Sequence, residues 1–267
     1  MKCIKIAVIG ASGKMGCAII KGLSQYADLQ IVGAVDLQNM GKDAGELAGI
    51  PVLGVQITDK LEDVLMEKKP DVVIDFTHKQ AAQKNIPLVL KKSIAIVAGT
   101  TGLDEQDLVE FDRLAKQNNT SMFLAPNFSL GAVLMMKFAR EAGQYYTQGE
   151  IIEYHNDKKI DSPSGTALAT ARGMTKDFST GEAREENPSQ SSCRGGDFGG
   201  VRIHSVRLKS LIAHQEVLLA GTGELLTIRH DSFSRESFLP GILMAVRKVH
   251  LWQGLKVGLE EVLELDN

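Results

Sequence analysis

Residues whose types and spacing could support catalysis are concentrated in one segment, residues 153–167. The segment holds an imidazole at His155, ammonium groups at Lys158 and Lys159, and a hydroxyl-rich glycine turn at 162–166. The apolar pair before it is typical of a strand, and the alanine-rich residues after it are typical of a helix. Backbone N–H groups at a helix start, beside a cation, suit an anion such as a carboxylate. The alternative is an ordinary hydrophilic crossover loop with a Ser/Thr cap.

A glycine turn near the N-terminus predicts a dinucleotide site. The β-branched run 4–9 indicates a buried strand, and the pattern G-x-x-G-x-x-G follows it at 10–16. The glycines of such a turn allow a tight bend, close approach of backbone to a pyrophosphate and close packing of helix on strand. A second strand, 30–35, ends at Asp36, whose carboxylate would accept hydrogen bonds from the adenosine ribose. The glycine spacing alone also occurs in plain turns, but the complete order of strand, turn, helix, strand and acid predicts dinucleotide binding.

Leu37 indicates which dinucleotide is used. NADP carries a 2′-phosphate that usually needs a nearby Arg or Lys. Leu37 supplies no charge, Asp36 would repel the phosphate, and Lys42 could compensate only weakly. The sequence therefore favours NADH over NADPH, or use of both with NADH preferred.

Strands and helices continue to alternate up to about residue 127, as a doubly wound parallel sheet requires. The further predicted strands are 71–76, 93–97 and 121–124, and the predicted helices are 79–92, 104–117 and 130–146. Small or polar residues follow these strands: Thr77 and His78; Gly99, Thr100, Thr101 and Gly102; Ala125, Pro126, Asn127 and Phe128. Each group could be a plain turn. Together, on the edge that carries the glycine turn, they predict a nicotinamide and ribose site.

The pattern then changes, which predicts a smaller α+β domain over 128–235 for substrate binding and oligomerisation. The dinucleotide-binding domain, 1–127, is completed by 236–267, where a last helix is predicted over 236–252. The polar, glycine-rich residues 181–200 predict a loop without fixed structure. A helix near 165–177 and strands at 201–208, 215–220 and 224–230 complete the second domain. Its mixed or antiparallel sheet would have one face available for packing, which predicts a homo-oligomer.

Composition excludes several classes of function. A net charge of −3 and a pI near 6.1 argue against nucleic acid as the main partner. No apolar run approaches the roughly 20 residues of a membrane helix, and the N-terminus has no secretory signal pattern. Cys3, Cys17 and Cys193 are scattered and have no metal-ligand spacing. We therefore expect reduced thiols, no metal and a cytoplasmic location.

Six motifs together resemble the 4-hydroxy-tetrahydrodipicolinate reductase (dihydrodipicolinate reductase) family. They are G-A-S-G-K-M-G at 10–16, D-F-T at 75–77, G-T-T-G at 99–102, A-P-N-F-S at 125–129, the 155–167 segment and H-D-S-F-S-R at 230–235. The resemblance covers essentially the whole chain, and its most specific part is K-x-D-x-P-S-G-T at 159–166. It implies a two-domain, usually tetrameric enzyme of diaminopimelate and lysine biosynthesis. Such an enzyme reduces a cyclic dicarboxylate imine with NAD(P)H and loss of water.

The resemblance also implies roles for individual residues. The cofactor would be bound by Gly10, Ala11, Ser12, Gly13, Lys14, Met15, Asp36, Gly99, Thr100, Thr101, Ala125, Pro126, Asn127 and Phe128. His155 would be the proton donor or acceptor, and Lys159 a second donor that faces the substrate. The substrate would be bound by Asn156, Gly165, Thr166 and Arg235. These types suit the chemistry, because hydride addition to an imine needs a proton and a dicarboxylate needs cations and oriented N–H groups.

Asn156 departs from the family, whose members commonly carry a second His at this position. Asn can donate a hydrogen bond but cannot carry charge, so we expect weaker substrate binding with activity retained. Two alternatives stay open: a related Rossmann dehydrogenase of another small amino or oxo acid, and a catalytically silent paralogue that binds NADH. A hydrolase triad of Ser164, His155 and Asp161 is disfavoured, because the Ser lacks a G-x-S-x-G elbow and the glycine turn would be unexplained.

Overall fold

The computed structural model describes residues 3–174 and 194–263. Its backbone divides into one unit of Met1–Phe128 and Arg235–Asn267 and a second unit of Ser129–Ser234. Phe128 and Arg235, predicted at the ends of the second domain, lie in the first unit. Phe128 belongs there because its ring packs against those of two other phenylalanines of that unit, at centroid distances of 5.3 and 5.8 Å.

The first unit is built on a parallel sheet of seven strands. The strands are β1 (Ile4–Ile9), β2 (Leu29–Val35), β3 (Ile57–Thr58), β4 (Val72–Asp75), β5 (Ala95–Ala98), β6 (Ser121–Leu124) and β12 (Gly254–Val257). Their order is β12-β6-β5-β4-β1-β2-β3. The central strands are short apolar runs because a parallel sheet is buried on both faces. The order reverses between β1 and β4, where open α/β sheets bind their ligands. The predicted Rossmann-type fold is confirmed.

Helices connect these strands. They are α1 (Lys14–Leu23), α2 (Ala44–Leu47), α3 (Leu61–Lys68), α4 (Lys79–Lys91), α5 (Glu105–Gln117), α8 (Leu239–Lys248) and α9 (Glu260–Leu263). The predicted helix over 236–252 was wrong in its bounds, since α8 is shorter and has 3-10 helices at Arg235–Phe238 and Val249–Leu251 on either side. The last strand, β12, and the two-residue β3 were not predicted. Both are edge strands: β3 has only two residues, and β12 reads Gly-Leu-Lys-Val, which lacks the continuous apolar run of the central strands.

The second unit contains a mixed sheet of five strands. The strands are β7 (Gln148–His155), β8 (Gly196–Phe198), β9 (Val201–Arg207), β10 (Ala213–Gly221) and β11 (Glu224–Ser232), in the order β11-β10-β7-β9-β8. β7 and β9 are parallel, whereas β10 pairs antiparallel with both of its neighbours. The predicted mixed sheet is confirmed, and the segment predicted to do chemistry follows its central strand, β7.

Two helices pack on this sheet, α6 (Leu130–Gly143) and α7 (Gly165–Met174). They bury an apolar cluster of Met135, Ala139, Ile151, Ala167, Ala171, Met174, Val201, Ile203, Val217 and Leu219. Inward-facing residues alternate along the strands, which is the period-two pattern of a sheet covered on one face. The predicted loop was wrong over 196–198, which form β8 against β9. Its residues 181–193 lie outside the described part of the chain, as does the predicted end of α7 at 175–177.

Candidate active site

The glycine turn brings the backbones of β1 and α1 into close contact. Gly10 has φ +79°, a left-handed conformation that glycine adopts without strain. A Cβ atom added to Gly16 would lie 2.1 Å from the carbonyl oxygen of Gly10, so a larger residue does not fit. Gly13 is the residue before the first turn of α1. The helix start therefore presents backbone N–H groups with little side-chain cover, and these residues fit a pyrophosphate.

Asp36 lies against the glycine turn. Its Oδ2 accepts the backbone N–H of Ser12 at 2.9 Å and its Oδ1 accepts that of Gln38 at 3.0 Å. The carboxylate is thereby held at the end of β2 beside the turn. The next side chain, Leu37, is 81% exposed, and the ammonium group of Lys42 donates to Asn39 Oδ1 at 3.0 Å. The structure thus places the Asp36 carboxylate beside the turn and an exposed leucine after it, while the ammonium group of Lys42 is partnered by Asn39.

A buried carboxyl group organises the ends of β4 and β5. Asp75 is 0% exposed and accepts hydrogen bonds from the backbone N–H and hydroxyl of Thr77 and from the amide of Asn85. Burial raises the pKa of Asp75, and the hydrogen bonds from Thr77 and Asn85 oppose that rise. The hydroxyl of buried Thr100 donates to the carbonyl oxygen of Thr77 at 3.0 Å, which joins the two loops.

The remaining predicted nicotinamide residues lie at the same edge of the sheet. A Cβ atom on Gly99 would lie 2.3 Å from the ring of Phe76, so a residue with a side chain does not fit at this position. That ring also packs on Phe128, which is buried, as is Ala125. Thr101 and Pro126 are exposed, and Asn127 is partly buried. The structure brings all three predicted strand-end groups together with the glycine turn, while their roles toward a cofactor stay predictions.

The end of β7 holds a chain of three charged or titratable groups. The ring Nδ1 of His155 is hydrogen-bonded to Glu153 Oε2. Arg207, on the neighbouring strand β9, donates to both carboxylate oxygens of Glu153, at 3.0 and 2.7 Å. Residue 155 pairs with residue 207 in the parallel register of β7 and β9, which brings these side chains side by side. Glu153 is 0% exposed.

Glu153 is strongly held in its ionised form. Burial by itself raises the pKa of this carboxyl group, but the hydrogen bonds from His155 and Arg207 outweigh burial and lower the pKa to about 2. An ionised carboxylate only accepts hydrogen bonds, so the proton between Glu153 and His155 belongs to Nδ1 of the ring. Nε2 is then the ring nitrogen that remains for a substrate.

Lys159 lies in the turn that follows β7. Its Nζ donates to Asp161 at 2.8 Å, and its backbone N–H donates to the carbonyl oxygen of Asn156 at 3.0 Å. The side-chain oxygen of Asn156 accepts the backbone N–H of Lys158 at 3.2 Å, so this residue closes the turn. The structure brings His155, Asn156 and Lys159 together within one turn.

Ser164 is a helix cap. Its buried hydroxyl accepts the backbone N–H of Ala167 at 3.2 Å, which begins α7. Gly165 and Thr166 form the first turn of α7, and a Cβ atom on Gly165 would meet no atom within 4 Å. The Gly165 backbone therefore borders open space, which leaves room for an anion at the start of the helix. Arg235 is exposed and belongs to the first unit, and its role stays a prediction.

The hydrolase alternative does not form. The Ser164 hydroxyl is used as a cap, and His155 bonds Glu153 rather than Asp161. The sequence-based interpretation missed Arg207, and it assigned no role to Glu153. Glu153 could have been singled out as an acid two residues before a histidine on one strand, because such residues share a face. Arg207 had no such signal, since its position follows only from strand pairing.

Within the residues that the structure describes, no group of three His, Cys, Asp or Glu side chains could hold a metal ion. None of the helices in that part of the chain is long and apolar enough to span a membrane.

Comparison with known proteins identifies the family. The model of the dihydrodipicolinate reductase N-terminus matches residues 4–128, and that of the C-terminus matches residues 131–263. The chain belongs to the dihydrodipicolinate reductase family. The family, the fold class and the NAD(P)H-dependent reductase activity predicted from the sequence are thus confirmed.

Relatives and solved structures agree with this membership. 4-Hydroxy-tetrahydrodipicolinate reductase of Desulfitobacterium hafniense (strain DSM 10664 / DCB-2) is 46% identical, over 99% of this chain and 100% of the relative. The Moorella thermoacetica reductase is also 46% identical, over 98% of each chain. A structure of dipicolinate-bound dihydrodipicolinate reductase from Paenisporosarcina sp. TG-14 has a TM-score of 0.84 and 36% identity, over 97% of this chain and 99% of that one.

The low pKa of Glu153 predicts how stability depends on pH. The folded state lowers this pKa from 4.5 to about 2, so the stabilisation is complete above pH 4.5 and is lost as pH falls toward 2. We expect Glu153→Gln to lower the free energy of unfolding by about 3 kcal/mol at neutral pH. The deficit should shrink between those two pH values. Denaturant unfolding from acidic to neutral pH measures it.

The exposed Glu224 provides the control for this measurement. It lies at the start of β11 and accepts a hydrogen bond from the Tyr146 hydroxyl. Glu224→Gln should change the free energy of unfolding by less than about 0.5 kcal/mol. A Glu153→Gln deficit that stays constant through the acid range would contradict the charged network around Glu153.

Proposed function

We propose that this chain reduces 4-hydroxy-tetrahydrodipicolinate to tetrahydrodipicolinate, with loss of water, in diaminopimelate and lysine biosynthesis. The observation that carries the proposal is the match of both halves of the chain to the reductase models, with His155 at the end of β7 and Lys159 in the turn that follows it. The 36% identical Paenisporosarcina protein binds dipicolinate, a small dicarboxylate. A dicarboxylate substrate also suits the cation and helix N-terminus of the 155–167 segment.

The first unit binds the dinucleotide in this proposal. The bare glycine turn of residues 10–15 holds the pyrophosphate at the start of α1, and Asp36 accepts from the adenosine ribose hydroxyls. Residues 99–101 and 125–128 line the nicotinamide side. Bound NAD(P)H supplies the hydride, and with one proton from the protein the reaction yields tetrahydrodipicolinate, NAD(P)⁺ and water.

The second unit supplies the proton and holds the substrate. His155 donates or accepts the proton through Nε2, because Nδ1 is engaged by Glu153. The ammonium group of Lys159 is the second donor and faces the substrate. The N–H groups of Gly165 and Thr166 bind one carboxylate of the substrate.

Variants of the two proposed proton donors test these roles. We expect His155→Ala and Lys159→Ala each to lower kcat/KM by about 10²- to 10⁴-fold, the usual contribution of a positioned acid or base. The assay follows NADH absorbance while the substrate is generated in place by the preceding synthase. Lys158→Ala, which removes the exposed neighbouring ammonium group, should leave kcat/KM within about twofold of wild type.

The outcomes separate the competing functions. A variant at either donor position that keeps full kcat refutes its role. A wild-type chain that binds NADH but shows no turnover would instead indicate the silent paralogue. Turnover of another amino or oxo acid, with none of the synthase product, would indicate the related dehydrogenase.

NADH is the favoured cofactor in this proposal. The exposed Leu37 offers no charge to a 2′-phosphate, and the Asp36 carboxylate would repel one. We expect a higher kcat/KM with NADH than with NADPH, and we expect Leu37→Arg to move that ratio toward NADPH by about tenfold, through one charged hydrogen bond. Leu37→Gln, of similar size but uncharged, should leave the ratio near the wild-type value. An equal or better kcat/KM with NADPH in the wild type refutes the preference.

Asn156 is expected to bind substrate more weakly than the second His of the family. Asn156→His should lower the KM for substrate by up to about tenfold, the difference between a charged and a neutral hydrogen bond. The substitution also removes the bond from Asn156 to the Lys158 N–H, so Asn156→Ala is the matched control that loses the turn bond and gains no charge. An unchanged or raised KM in Asn156→His contradicts the expectation.

We propose a homotetramer in the cytoplasm. The assembly is supported by β11, an edge strand of the second unit that exposes Leu225 and Leu226 at 62% and 36%. An edge strand with apolar side chains suits pairing with another copy of the chain. The mass of the purified protein in solution, measured by light scattering, tests the tetramer.

A further inference from the structure

Two charged side chains beside His155, one buried and one largely buried, neither bind the substrate nor transfer the proton in the reaction described above. Glu153 is 0% exposed, and the Arg207 side chain is 18% exposed. They form a bidentate ion pair, in which Arg207 Nη1 donates to Oε2 of Glu153 at 3.0 Å and Nη2 donates to Oε1 at 2.7 Å. Oε2 also bonds the imidazole Nδ1. The same carboxylate oxygen, Oε2, therefore accepts hydrogen bonds from both the guanidinium and the imidazole.

Stability alone is a weak reason for such a pair. Two charges lose their hydration when they are buried, and well-packed apolar residues of similar size often stabilise a protein as well or better. The pair does, however, determine the state of the ring. A carboxylate held ionised by Arg207 accepts only, so His155 carries a hydrogen on Nδ1 and presents Nε2.

Arg207 makes a second connection, to the turn that holds Lys159. Its Nη2 donates to the backbone carbonyl of Asp161 at 2.8 Å, and the Asp161 side chain accepts from Lys159 Nζ at 2.8 Å. The same guanidinium thus joins the partner of the imidazole to the segment that carries the ammonium group.

We propose that Glu153 and Arg207 are positioning residues of the reductase, which orient His155 with Nε2 toward the substrate and fix the Lys159 turn relative to it. This inference rests on the proposed role of His155 as proton donor. During transfer the N–H bond at Nε2 breaks and the proton passes to the substrate. The neutral ring keeps its Nδ1–H on Glu153, and the carboxylate stays ionised. Solvent then returns a proton to Nε2.

The test is a double-mutant cycle on kcat. We expect Glu153→Gln to lower kcat by about 10- to 100-fold, as loss of a partner that fixes a histidine does in metal sites, with the KM for NADH unchanged. If Glu153 acts through the ring, the double variant Glu153→Gln/His155→Ala should be no slower than His155→Ala alone, within about twofold. If the role of Glu153 were merely structural, the fold-losses of kcat in the two single variants would multiply in the double variant.

The chain contains a matched control on the same strand. Glu150 also accepts from an arginine and a histidine, Arg194 at 2.7 Å and His204 at 2.7 Å. Glu150→Gln removes the same kind of network away from His155, and kcat should stay within about twofold of wild type.

Two further measurements keep the proposal testable if Glu153→Gln folds poorly. Arg207→Lys keeps the charge but loses the bidentate geometry and the reach to Asp161, and it should lower kcat by about tenfold or more. ¹⁵N NMR of the imidazoles at alkaline pH, with His155 assigned by its loss in His155→Ala, should show the Nδ1–H form in wild type. In Arg207→Lys, a mixture of the Nδ1–H and Nε2–H forms should appear.

Three results would overturn the inference. One is full kcat in Glu153→Gln or Arg207→Lys while His155→Ala is impaired, which leaves the proposed function intact. Another is a multiplicative loss in the double variant. The third is full kcat in His155→Ala, which would refute both the inference and the proposed role of His155. The first two results would refute the inference and leave the role of His155 unchanged.

Discussion

A single buried carboxylate joins the elements of the second unit that meet around the end of β7. Glu153 accepts from His155 and Arg207, and Arg207 reaches on to the carbonyl of Asp161. The strand end, the neighbouring strand and the following turn are thereby joined by charged hydrogen bonds, which are about twice as strong as neutral ones. Without its partners, Glu153 would be a costly buried charge. With them it is held ionised. Because an ionised carboxylate only accepts hydrogen bonds, the hydrogen between Glu153 and His155 is carried by Nδ1 of the ring.

The first unit depends on close backbone contact rather than on charge. No side chain intervenes between β1 and α1 at Gly16, and none would fit at Gly99, where the backbone meets the Phe76 ring. Asp75 then holds the loops after β4 and β5 through Thr77. An edge built from backbone and short polar groups suits a long, polar cofactor, while the proposed proton donors His155 and Lys159 belong to the second unit.

The prediction of the fold succeeded where elements are long or strongly patterned. The apolar central strands of the first sheet and the alternating strands of the second were located within a few residues. The edge strand β3 was missed because it has two residues, and β12 because Gly-Leu-Lys-Val lacks a continuous apolar run. The strand β8 was predicted as loop because Gly196–Phe198 lies within the polar, glycine-rich residues 181–200. Such strands exist because a neighbouring strand offers hydrogen-bonding groups. That information is not local to the segment.

The sequence by itself determined the family, the glycine turn with Asp36, and the 155–167 segment, because each motif behind them consists of residues a short distance apart along the chain. Only the tertiary structure decided how His155 is held. Glu153 and Arg207 lie 54 residues apart and meet because β7 and β9 pair in parallel register. No spacing along the chain encodes that pairing. The tertiary structure also decided that Ser164 is a cap and that Asn156 closes the turn, since both depend on the path of the backbone after β7.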